Sequence, residues 1–159
     1  MLKSLKIENY VLIRKEELSF DRGFGVICGQ TGAGKSVILQ ALGLLLGRRA
    51  EKEVLFDKEK KCVCEAVFLL QDSYRNFFDE NDLDYEPETV FRREILPSGK
   101  SRAFINDTPV SLSAMKELSE RIIDIHSQHN TLMLNDKRFQ FDTRDAFLQS
   151  TEIIERYAL

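Results

Sequence analysis

The chain is short of cysteine, of net charge and of long apolar runs, and each shortage closes off a class of protein. Three cysteines among 159 residues make no disulfide framework. Cys62 and Cys64 alternate along one strand-like stretch and Cys28 falls in a stretch of buried-strand type, so a reducing cytosol is the expected setting. A formal net charge of −3 gives no global attraction for nucleic acid, so such contact would need a local patch. The apolar runs fall far short of the roughly 20 residues that span a bilayer, and no membrane partner is expected. Met1 to Lys6 runs straight into an alternating pattern rather than a signal peptide. No internal repeat or low-complexity linker appears. A chain of 159 residues has room for one domain that buries about two-thirds of its unfolded surface.

What the chain does contain is Gly29-Gln30-Thr31-Gly32-Ala33-Gly34-Lys35-Ser36, which satisfies the P-loop pattern G-x-x-x-x-G-K-[ST], or Walker A. Its flanks suit the pattern. Phe24 to Cys28 reads as a short buried strand, and Ser36 to Leu46 as a helix apolar nearly all round. Glycines let the backbone form a nest whose N–H groups face phosphate oxygens, and the helix start adds unpaired donors. Lys35 would place a positive charge on the β- and γ-phosphates, and Ser36 a hydroxyl on Mg²⁺. The whole run with Val37 is the expected cofactor site, for a nucleoside triphosphate with Mg²⁺.

Along the chain, charges interleave with Leu5, Ile7, Val11 to Ile13, Leu18 and Phe20, predicting antiparallel strands at about 2–8 and 11–20 that turn near Asn9-Tyr10. Gly47 is placed to end the P-loop helix. From Lys61 a strand should turn Cys62, Cys64, Ala66 and Phe68 to one side, followed by an amphipathic helix within 72–82. Glu88–Leu96 and Ser101–Ile105 read as a hairpin about Pro97-Ser98-Gly99-Lys100, with a further turn at Asn106-Asp107. Ser111 or Ser113 should cap a helix to about Arg121, and Ile122 to Ile125 reads as a short buried strand. From about Asn135 a helical pattern resumes.

One part of a P-loop hydrolase is missing. The second acidic site, usually four apolar residues before Asp and often Glu, is not matched. The nearest candidate, Asp124, has only Ile122-Ile123 before it and Ile125 behind.

Leu5-Lys6-Ile7-Glu8-Asn9-Tyr10, the Phe20…Gly23-Phe24 approach, the P-loop and Ala41 to Gly47 together resemble the heads of SMC-like, ABC-type ATPases. Within that group, Leu46-Gly47-Arg48-Arg49-Ala50, Ser101 to Asn106 and Ile125-His126-Ser127-Gln128-His129 resemble the RecN family of bacterial DNA repair ATPases, from Met1 to roughly Phe147. Departures are Gln30 where Glu is usual, Asp107 where Gly is common, and Ser127 where Gly is usual.

The resemblance implies an α/β P-loop NTPase of ABC/SMC-head type: an N-terminal lobe with a mixed sheet around the P-loop helix and an antiparallel β-subdomain. It implies that residues 1–134 form this lobe and 135–159 lead towards a coiled coil. The signature motif and Mg²⁺ acid would lie in a C-terminal lobe, and the chain would be a fragment inactive by itself. Gln128 would be the Q-loop glutamine reaching Mg²⁺ and the attacking water, beside Lys35 in catalysis. Implied partners are the chain's own C-terminal lobe, a second head in a homodimer, and DNA at double-strand breaks, in the bacterial cytoplasm at the nucleoid. Function would be ATP hydrolysis in recombinational repair; a structural SMC-type tether or a small P-loop nucleotide kinase are the alternatives.

The remaining candidates carry balanced readings. His126 and His129 lack the further ligands of a metal site. Arg48 or Arg49 could approach a nucleotide across a dimer, or simply pair with Glu51 or Glu53. Arg14 and Lys15 could line an adenine, or be edge charges. Arg92, Arg93, Lys100 and Arg102 form the one basic cluster, read as a solvated, edge-protecting hairpin ahead of a phosphate contact, since Arg92 and Arg93 face opposite sides.

Overall fold

The computed structural model describes residues 1–30, 34–50 and 52–123. Its frame is one six-stranded sheet: β1 (Leu2–Tyr10), β2 (Ile13–Ser19), β3 (Cys62–Leu69), β4 (Glu88–Ile95), β5 (Ser101–Ile105) and β6 (Thr108–Val110), in the order β2-β1-β3-β4-β5-β6. Every pairing is antiparallel, so the described part holds the antiparallel layer and no mixed sheet. Helices α1 (Lys35–Leu45) and α3 (Leu112–Ile122) supply the other layer, α1 against β3, β4 and β1, and α3 against β5. A shorter helix, α2 (Arg75–Glu80), follows a 3-10 turn at Asp72–Tyr74 and buries Phe77 and Phe78.

Alternation decides which face of the sheet is inside. On β3, Cys62, Cys64, Ala66 and Phe68 are all at most 1% exposed, and they sit in register with Ile95, Arg93, Phe91 and Thr89 of β4. Leu5 and Ile7 of β1 face Ala66 and Cys64 in turn. Phe68 and Phe91 meet edge to face at 5.1 Å between ring centres. Cys62 and Cys64 are free thiols with sulfurs 3.9 Å apart. Their mutual contact, then burial, pushes the Cys64 thiol up, which leaves it a packing residue rather than a nucleophile.

Several connections differ from the sequence reading. The β1–β2 turn is Val11-Leu12, with Tyr10 opposite Ile13, not Asn9-Tyr10. Asn9 is kept from the turn by the connection over 54–61, which lies against the end of β1. It is buried, its amide donates to the carbonyls of Asp57 (3.0 Å) and Lys60 (2.8 Å), and its oxygen accepts from the Asp57 N–H. Val11, held at φ 49, donates to Val54 O at 2.6 Å. Asn106-Asp107 does turn, both residues in the left-handed region, and leads into β6, a strand too short to show in the sequence pattern. β6 covers β5 only from Ala103 to Ile105, so Ser101 and Arg102 at the hairpin end keep a β5 edge that no described strand pairs. Ser111 caps α3, accepting from the Ala114 N–H at 3.1 Å. Ile122 ends that helix rather than starting a strand, and Asp124 and Ile125 lie outside the described residues.

Phe24 to Cys28 is the largest departure. No strand forms there, Phe24 is 94% exposed, and Cys28 is exposed rather than buried. A strand exists only when another backbone takes its donors and acceptors, and none of the described strands lies beside this one.

Candidate nucleotide site

The P-loop enters α1 through Gly34, whose φ of 89 puts it in the left-handed region. A side chain there would be strained, which is why the pattern demands glycine. Gly34 O accepts from Val37 N–H at 3.0 Å and Ile38 N–H at 3.1 Å, closing the first turn. No side chain caps the helix and no acid occupies its first turn, so its start keeps donors and positive potential for an anion. Lys35 folds back over the loop. Its ammonium donates to the Gly29 carbonyl and, at 2.7 Å, to that of Gln30. Two of its three donors are thus used to hold the loop, and the third is left for a phosphate oxygen.

Ser36 is exposed at the same helix start, with its hydroxyl open to solvent. Val37 is buried and fixes the helix to the sheet side through its side chain, leaving only backbone for a ligand. Gly29 and Gln30 are exposed; Thr31, Gly32 and Ala33 lie outside the described residues. The donor set therefore fits a polyphosphate. For Mg²⁺ it offers one protein oxygen, Ser36, where the ion wants about six, so phosphates, water and any further side chain would supply the rest. Among the described residues no group of three His, Cys, Asp or Glu could hold a metal ion. Gln128, His126 and His129 lie outside the described residues.

The far end of α1 is closed by Gly47 at φ 81. Its N–H donates to Leu44 O and that of Arg48 to Gly43 O, a Schellman closure that confirms Gly47 as the helix stop. Arg48 then lies back along Gly43. Its backbone stands a helix length, about 16 Å, from the P-loop of its own chain. Arg14 stacks over Phe56 at 5.1 Å, beside a cavity of about 450 Å³ lined by Asn9, Arg14, Phe56, Asp57 and Lys60, while Lys15 pairs with Glu8.

The basic cluster does not act as one surface. Arg92 pairs with Asp107 at 2.6 Å, lies within 3.9 Å of both Glu65 and Glu94, and covers the Phe104 ring. Arg93 turns inward and is only 4% exposed. Sequence reasoning separated the two faces without choosing the inner one; the choice was available, because Arg93 shares parity with Phe91 and Ile95.

Residues 4–157 match the family model described as AAA domain. The chain belongs to the AAA domain family. This AAA domain is 34% identical over 157 residues to DNA repair protein RecN of Vibrio cholerae, a match spanning 98% of the chain and 28% of the relative. It is 35% identical over 150 residues to RecN of Bacillus subtilis, spanning 92% and 26%. The chain thus spans little more than a quarter of the length of these relatives. Among solved structures, it is similar to one described under the structural biochemistry of ATP-driven dimerization and DNA-stimulated activation of SMC ATPases. There the TM-score is 0.62 at 22% identity, covering 88% of this chain and 89% of the other. It is also similar to the recombination mediator RecF bound to ATP, with a TM-score of 0.56 at 21% identity over 69% and 27%. The fold is that of an SMC-type ATPase head, and the sequence kinship is with RecN. No described helix is long and apolar enough to cross a membrane.

Proposed function

We propose that this AAA domain is the ATP-binding lobe of a RecN-like SMC-type ATPase serving recombinational repair of DNA double-strand breaks. The observation that carries the reading is the start of α1: a left-handed Gly34, a helix start with no side-chain cap, and a Lys35 ammonium folded back onto the carbonyls of Gly29 and Gln30 in the same loop. Gly29 to Val37 would hold the nucleotide, with Ser36 and Gln128 reaching Mg²⁺ and Lys35 stabilising charge on the γ-phosphate. Hydrolysis is then a property of an assembly. The lobe brings the phosphates, a C-terminal lobe brings the acidic Mg²⁺ site, and a second head brings the signature motif. Residues 1–134 act as the lobe and 135–159 lead to a coiled coil. Such a protein works in the bacterial cytoplasm, at the nucleoid, on DNA ends.

Calorimetric titration with Mg·ATP tests the reading. Lys35→Ala keeps the backbone nest and removes the charge, so affinity should fall by about 2–4 kcal/mol, the range for a charge-assisted contact to phosphate. Equal affinity in both proteins would remove the P-loop from the account. ATPase measurements on a full-length relative with and without DNA ends would separate a repair ATPase from a structural tether.

A further inference from the structure

We draw no further inference here: the strongest candidate, the cavity of about 450 Å³ at the end of β1 where Arg14 stacks over Phe56 beside Asn9, carries nothing because it restates the adenine-side reading of Arg14 at the nucleotide site.

Discussion

The sheet and the approach to the P-loop are made of similar residues and end in opposite states. Along β3, neighbours on both sides take every second side chain out of water. From Asp21 to Gln30 all residues are exposed and none makes a backbone hydrogen bond to the other described strands. Phe24, Val26 and Ile27 stand 94%, 66% and 50% exposed, with Leu39 of α1 at 49%. Apolar composition is therefore not what buries a strand. A partner buries it, and for β3 that partner is in the described chain while for 24–28 it is not.

The sharpest break of this contrast is a pair of identical truncations. Phe91→Ala removes a ring with no exposure that packs on Phe68, and should cost about 3–5 kcal/mol. Phe24→Ala should change stability by no more than about 0.5 kcal/mol. Denaturant unfolding of both variants decides the matter. A Phe24 cost near that of Phe91 would mean that the segment is buried in solution.

Such burial has an obvious route. An unpaired apolar segment recruits other chains, so this AAA domain should self-associate, and Val26→Ser with Ile27→Ser should reduce it. Light scattering over a concentration series reads the effect. A monodisperse monomer at high concentration, with cooperative unfolding, would show that the lobe is self-sufficient.

How far the fold could be read from the sequence follows the same division. The β3 alternation, the Ser111 cap, the Gly47 stop and the Gly99 hairpin were legible because each is decided within a few residues. Asn9 was not, since its partners lie 48 to 52 residues away. Phe24 to Cys28 misled for the converse reason: the local pattern is right for a strand but carries no information on whether a neighbour is present. At the site, glycine spacing alone pointed to the left-handed Gly34 that opens α1. The inward turn of Arg93 was legible as well, from its parity with Phe91 and Ile95 along β4.

Gly43 inside α1 and Gly47 just past its C-cap separate open from closed surroundings at one end of the helix. Gly47→Ala meets a left-handed φ of 81 and the Lys116 Cβ at 2.6 Å, where only backbone movement gives relief, and should cost about 2 kcal/mol. Gly43→Ala meets the Arg48 side chain at 2.9 Å, which can swing aside. It should be near neutral, helped by the better helix propensity of alanine. Thermal melts of both would test this; equal losses would mean that Arg48 is held as firmly as Lys116.

The smallest effect lies in alkali, at the closed end of the sheet. Tyr10 is 4% exposed and bridges to Leu55. Burial first, with Cys64 and Cys62 beside it, pushes its hydroxyl up from 10.0 to about 12. The folded state therefore prefers the proton. Its contribution is complete below pH 10 and is lost as pH rises from 10 towards 12. Between about pH 9.5 and 11 the parent should lose about 1 kcal/mol more than Tyr10→Phe, which has no proton to release. Other groups titrate equally in the two proteins, so the difference isolates this ring. Parallel pH profiles would mean that water reaches the hydroxyl, and that the end of the sheet is nearly as open as the approach to the P-loop.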